Sequence, residues 1–349
     1  MYENFFGLTK PPFSVVPDPE CLHLTAQHAD AISGLAFGVL ERKGYLVMTA
    51  EAGLGKTTAL RALSKLFTES NVVSSVIFAP TLTPSEFLEM ALLNFGFKDV
   101  PASKAQRLKL LEEFLYRLDA EGKVAALIVD EAHQLSPELL EEVRLLGNFE
   151  TADRKLLQIV LAGQNQLDDQ LNLPQLWQLK QRITLRFSLR PLDREGVEDY
   201  ITFRWGKAGG ADPTPFSGGA IDGIAAWSKG MPRLINVICD NALLIAFSET
   251  KRDIDLQTIR DACEELSFAT PAFTRSGPSF KGARPLVLPA LEQGKPSTVE
   301  PSSNGQAMEQ TAVNGWAAAR PSLLKRWLQL TESRRPSKSR AGILLLKEP

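Results

Sequence analysis

Ala50-Glu51-Ala52-Gly53-Leu54-Gly55-Lys56-Thr57-Thr58 has a narrow physical use, and the rest of this 349-residue chain is best read outward from it. An apolar, strand-like run, Tyr45 to Thr49, precedes it, and a helical pattern beginning Ala59-Leu60-Arg61-Ala62-Leu63 follows. Strand, glycine-bearing turn, Lys-Thr and helix is the layout of a phosphate-binding P-loop. Gly53 and Gly55 let the backbone curl so that successive N–H groups face a polyphosphate. The helix adds its positive N-terminal end, and Lys56 supplies a mobile charge for the β- and γ-phosphates. Thr57 offers a hydroxyl to a magnesium ion. Ala50 stands where the first glycine of the pattern is expected, a position that eases the turn and contacts phosphate least. Residues 50–58 are therefore expected to bind ATP or GTP.

A second motif lies downstream. Val124 to Val129 is a continuous apolar run, as suits a central strand buried on both faces, and it ends in Asp130-Glu131-Ala132-His133. The carboxyl ends of such strands are where open α/β sheets bind ligands. Asp130 suits hydrated Mg²⁺ opposite Thr57, and Glu131 suits polarisation of an attacking water. His133 is a rival base, but its position suits a supporting polar contact better. Two carboxylates beside a P-loop favour hydrolysis over passive binding.

Composition sets the outer bounds. With 44% hydrophobic residues the chain can bury two globular units. Cys21, Cys239 and Cys263 are odd in number and widely spaced, which suggests a reducing compartment and no disulfide framework. The start, Met1-Tyr2-Glu3-Asn4-Phe5-Phe6, lacks the pattern of a signal peptide, and no apolar run is long enough to span a membrane. A soluble cytoplasmic protein is expected. From Ala269 onward there are 12 basic and 5 acidic residues, net +7, which leaves −9 on the preceding residues. An acidic body argues against wrapping nucleic acid, without excluding it; an electrostatic partner would meet the tail.

Strand and helix patterns alternate up to Pro191. Strands are expected at 45–49, 72–78, 124–129, 156–162 and 184–189. Helices are expected at 26–41, from the end of the P-loop, and at 85–95, 105–120, 136–146 and 175–182. That order implies a mostly parallel sheet covered on both faces. Residues 1–190 are read as this α/β unit, with the proline- and aromatic-rich opening lying across it in an extended path. Four helices at 193–207, 217–227, 232–247 and 255–266 then make residues 191–268 a small all-helical unit. Residues 269–349 are rich in Pro, Ser and Gly and are expected to be a disordered basic tail. Within it, residues 321–330 could form a basic amphipathic helix that touches a membrane surface or a partner, or a transient helix in a solvated tail.

These pieces resemble the AAA+ ATPases typified by general secretion pathway protein A, over residues 1–268. The resemblance rests on Phe5-Phe6-Gly7-Leu8, Pro11-Pro12-Phe13, Pro17-Asp18-Pro19, the P-loop and Val129 to His133. It extends through Val160-Leu161-Ala162-Gly163-Gln164, Gln181-Arg182-Ile183 and Gly230-Met231-Pro232-Arg233-Leu234-Ile235-Asn236. It implies a P-loop NTPase αβα sandwich with a five-stranded sheet in the order 5-1-4-3-2 and a helical lid. It further implies that Gln164 senses the γ-phosphate, that Arg233 reaches the phosphates from the lid, and that Arg182 is an arginine finger acting on a neighbouring subunit. Arg186 is the rival finger. ATP and Mg²⁺ are the implied ligands, and a nucleotide-dependent homo-oligomer is the implied assembly. The family's membrane helix and peptidoglycan-binding domain are not legible here. The function expected is an ATPase serving an envelope secretion or exopolysaccharide export complex, cytoplasmic or peripheral to the inner membrane. The alternative is an ATP-dependent regulator of DNA transposition or another DNA transaction, and a scaffold without turnover is a third.

Overall fold

The computed structural model describes residues 1–14, 24–78 and 82–267. Pro17-Asp18-Pro19, Cys21, the tail and its expected helix at 321–330 lie outside the described residues.

Five strands build one sheet: β1 (Tyr45–Ala50), β2 (Val72–Ile77), β3 (Val124–Val129), β4 (Leu157–Gly163) and β5 (Ile183–Leu189). Their order is β2-β3-β4-β1-β5, with every neighbouring pair parallel, as expected. β1, β3 and β4 are buried at every residue, because each is flanked by strands and covered on both faces. The edge strands β2 and β5 have one neighbour each, and their partly exposed residues reflect it.

Side chains alternate across the sheet with a period of two. Tyr45, Val47, Leu127, Val129, Ile159 and Leu161 face one layer, made by α4 (Pro84–Asn94), α5 (Lys104–Ala120) and α6 (Pro137–Leu146). Leu46, Met48, Ala126, Ile128, Val160 and Ala162 face the other, made by α2 (Ala26–Leu40) and α3 (Lys56–Thr68). Each fully buried Leu or Ile here contributes about 1.5–3 kcal/mol. A sheet between two helical layers is the αβα arrangement the alternation implied.

Within the α/β unit α7 (Gln166–Leu171) escapes the sequence reading, and the helix expected at 175–182 is present with a 3₁₀ start. α7 is six residues long, too short for a helical period to register. The 3₁₀ turn is Pro174–Leu176, followed by α8 (Trp177–Arg182). After β5 come α9 (Arg194–Lys207), α10 (Gly218–Ser228), α11 (Pro232–Ser248) and α12 (Leu256–Glu265), which share their own apolar core. That core includes Cys239 and Cys263, both free; burial pushes the first thiol well up and the second to about 11.

The opening of the chain departs from its expected path. Tyr2–Phe6 forms a short helix, α1, which ends at Gly7 in the left-handed conformation before any proline is reached. Tyr2, Leu8 and Phe13 are then buried in the core of α9–α12 instead of lying across the sheet. Arg204 of α9, itself buried, donates from Nε to the Pro12 carbonyl at 2.7 Å and from Nη2 to that of Ser14 at 3.0 Å. The guanidinium fork thus satisfies carbonyls of a segment that prolines keep out of helix and sheet.

Phe13→Ala is expected to destabilise the protein by about 3–5 kcal/mol, since Phe13 has no solvent exposure. Urea unfolding checks this; a loss below about 1 kcal/mol would show that the opening segment is not part of that core.

Candidate functional site

β1 ends at Ala50, and the chain turns through residues 51–55 before α3 begins at Lys56. Gly53 and Gly55 adopt φ of 86° and 89°, values a side chain strongly disfavours. Gly55 is the N-cap of α3 and no side chain caps that end, so the first amides of α3 point into the turn without an intramolecular side-chain acceptor. Such an end suits an anion. The side chains of Ala50 and Leu54 are buried in the layer under α2 and α3, so only their backbone is available to a ligand. Glu51 and Ala52 are exposed, and Thr58 is half-buried.

Opposite the turn stands the end of β3. Lys56 is 6% exposed, and its Nζ donates to Glu131 Oε1 at 2.8 Å and lies 3.6 Å from Asp130 Oδ1. Thr57 Oγ1 donates to Asp130 Oδ2 at 2.8 Å, while Asp130 Oδ1 accepts from the Glu131 amide at 2.8 Å. Asp130 is 2% exposed, so both its oxygens are engaged in a nearly dry place. Burying an amine this deeply is costly unless carboxylates face it.

Glu131 has φ 53° and ψ 36°, a left-handed conformation that costs a non-glycine residue about 1–2 kcal/mol. Its Oε2 is buried and has no hydrogen-bond partner. His133 Nδ1 is 3.3 Å from that oxygen and accepts from the Gln164 amide, also at 3.3 Å. With Nδ1 accepting, it carries no proton for Glu131, and the Oε2 lone pairs stay open. Gln164 follows β4, which lies between β3 and β1, so the strand ends bring residues 53–57, 130–131 and 164 to one edge of the sheet.

The remaining residues singled out from the sequence fall in three places. Arg233, near the start of α11, lies over the turn: a Cβ on Gly53 would stand 3.0 Å from Arg233 Cβ and 3.8 Å from its Cδ. Arg182 lies at the other end of the sheet. It precedes Ile183, which is paired with Tyr45, the first residue of β1. Six strand residues, roughly 20 Å, separate that end from the P-loop. Arg182 Nη1 donates to Asn148 Oδ1 at 2.7 Å and to the Arg144 carbonyl at 3.2 Å. The Tyr45 hydroxyl shares that carbonyl at 2.7 Å; burial raises this phenol, and Arg182 opposes the shift. Arg186 instead pairs with Asp168 Oδ1 at 2.9 Å on the surface, a contact of little energetic weight.

Two neighbours of these residues went unseen in the sequence. Asn148 follows α6 and engages Arg182, and His28 near the start of α2 touches the P-loop itself. Each contact spans more than twenty residues of chain, and no local pattern signals it.

This fold and this edge of the sheet define a class. The chain has the αβα fold of AAA-type P-loop nucleoside triphosphatases, and residues 39–171 match the family described as AAA domain. It is 40% identical over 272 residues to General secretion pathway protein A of Aeromonas hydrophila; the match takes in 76% of this chain and 49% of that protein. The chain thus spans about half the length of that relative. Among solved structures it is similar in fold to Cdc6p of Pyrobaculum aerophilum (TM-score 0.56, 19% identity, 73% of this chain and 70% of that one). It is also similar to ORC2 of Aeropyrum pernix, solved in ADPNP and ADP complexes (TM-score 0.55, 16% identity, 73% and 71%). Among the described residues, no helix is long and apolar enough to cross a membrane.

Lys56→Ala leaves Asp130 and Glu131 facing each other without their cation. Equilibrium unfolding in the absence of nucleotide should show a loss of about 3 kcal/mol, the low end for a broken buried pair because Glu131 is partly exposed. An unchanged midpoint would mean that the pair does not hold the empty site together.

Proposed function

We propose that this protein hydrolyses ATP and uses the cycle to drive or regulate assembly of an envelope secretion or exopolysaccharide export system. One observation carries the enzymatic part: Glu131 Oε2, buried and unpartnered, beside an amine and an uncapped helix end that suit a triphosphate. The secretion part rests on the similarity to General secretion pathway protein A, of which this chain spans half.

The residues fit the ligands. Amides of residues 53–57 and Lys56 Nζ would take the β- and γ-phosphates, and Lys56 would exchange its carboxylate partner for phosphate oxygens on binding. Among the described residues no cluster of three or more His, Cys, Asp or Glu could hold a metal by itself. Mg²⁺ would then take Thr57 Oγ1 and Asp130 Oδ2, hard oxygens 2.8 Å apart, and complete its shell with phosphate and water. It would supply neutralisation of the charge shared between the β- and γ-phosphoryl oxygens.

Glu131, released from Lys56, orients a water with Oε2 and accepts its proton as that water attacks in line. Gln164 stands at the next strand end, where it meets the γ-phosphate or the water. Residues 191–268 act as a lid whose Arg233 closes over the turn and converts nucleotide state into movement. Arg182 faces away from its own site, so it would complete a neighbour's in a nucleotide-dependent homo-oligomer. Its fixed planar fork suits a transferring phosphoryl group.

Glu131→Gln keeps the size and the contact with Lys56 but removes the proton acceptor. ATP affinity should stay within about threefold while steady-state turnover falls at least about 100-fold. Turnover within about threefold of the parent, less than about 1 kcal/mol of barrier, would take Glu131 out of the catalytic role.

Arg182→Ala should bind ATP normally and hydrolyse it about 1,000-fold more slowly in the assembled form. Mixing it with Lys56→Ala protein should restore part of the activity, because each variant spoils a different half of a shared site. No rescue at several ratios, with mixed assembly confirmed by cross-linking, would show that Arg182 does not act in trans.

A further inference from the structure

His28, the third residue of α2, is 7% exposed and belongs to none of the motifs read from the sequence. Its Nε2 lies 2.9 Å from the carbonyl oxygen of Leu54, in the P-loop turn. A carbonyl only accepts, so Nε2 carries the proton. Nδ1 is then free to accept from Thr25 Oγ1, 2.7 Å away, and Thr25 Oγ1 in turn accepts from the His28 amide at 3.4 Å. Every polar atom of the ring is accounted for by the neutral form. The ring also fills the space against the turn: a Cβ on Gly55 would stand 3.0 Å from Nε2.

The peptide joining Leu54 to Gly55 is planar and trans, so its C=O and N–H point in opposite directions. A donor that holds the Leu54 oxygen outward therefore turns the Gly55 N–H inward. We propose that His28 is a positioning residue for phosphate binding, a strut that fixes the Leu54–Gly55 peptide so that the Gly55 amide faces the polyphosphate. The inference rests on reading residues 50–58 as a phosphate cradle. Burial lowers the affinity of His28 for a second proton, although its hydrogen bond to the Leu54 carbonyl opposes that shift, and the neutral ring leaves Nδ1 able to accept from Thr25.

A strut of this kind acts on the phosphates and is indifferent to the base. Calorimetric affinities for ATP, GTP and inorganic tripolyphosphate, with melting of the nucleotide-free proteins as the control for folding, separate it from other roles. His28→Leu keeps an apolar filler without the donor and should weaken ATP and tripolyphosphate alike by about tenfold, the scale of one hydrogen bond. His28→Gln, which can present an N–H at similar reach, should stay within about threefold of the parent. Thr25→Val keeps the imidazole but frees its rotation, and should weaken both ligands by about threefold; it decides the matter if His28→Leu does not fold. Affinities within twofold of the parent for all variants would overturn the strut. A loss confined to ATP would assign His28 to the base, and equal losses in the Gln and Leu variants would assign it to packing; either result overturns the inference. If the parent protein bound neither ATP nor tripolyphosphate, the cradle itself would fail, a result distinct from a parent that binds and a His28→Leu variant that binds equally well.

Discussion

The ion pair between Lys56 and the Asp130–Glu131 carboxylates is the constraint on which the rest of the architecture turns. The amine and both acids are buried or partly buried, and each would be costly to keep charged alone. Lys56 and Glu131 are 75 residues apart, so their meeting requires the parallel sheet to bring the ends of β1 and β3 to one edge, one strand (β4) apart. The left-handed backbone at Glu131 is part of the same arrangement: it folds the carboxylate back over the P-loop at a local conformational cost. What the pair stabilises is therefore an edge of the sheet crowded with charge and uncapped amides, held ready for an anion of higher charge density than its own carboxylates.

The sheet has two unlike ends because its strands all run one way. Residues 53–57, 130–131 and 164 gather at the carboxyl ends, while Tyr45 and Arg182 sit at the amino ends. α6 runs between them. It starts at Pro137, just beyond the turn that carries His133, and its last carbonyls accept from Tyr45 and Arg182. The helix is packed along its length by Leu139, Leu140, Val143 and Leu146, so the carbonyl that holds Arg182 belongs to a firmly packed element.

The helical unit is tied to the sheet at the P-loop and closed off by the opening of the chain. Arg233 stacks its stem on Gly53, and Met231 packs against the layer of α2 and α3. On its other side, α1 and Phe13 complete a core that α9–α12 share. Small helical units have little interior of their own. The aromatic opening segment supplies the missing apolar surface, and Arg204 satisfies the carbonyls that this segment brings with it.

Strand positions, the long helices and the parallel sheet were legible in the sequence because period and motif are local properties. Val124 to Val129 reads as a buried strand from its own six residues, and the P-loop announces its phosphate chemistry by spacing alone. The sheet order came from the family resemblance, and pairing in the structure agrees with it. Short elements failed for the same local reason: α1 and α7 have five and six residues, too few to complete two turns of any pattern. Tertiary structure alone decided where the opening segment packs, which carbonyl His28 holds, and that Arg182 rests on Asn148. Those contacts join residues far apart in the chain, and a side chain's partner across such a distance depends on how layers pack, not on the residues beside it.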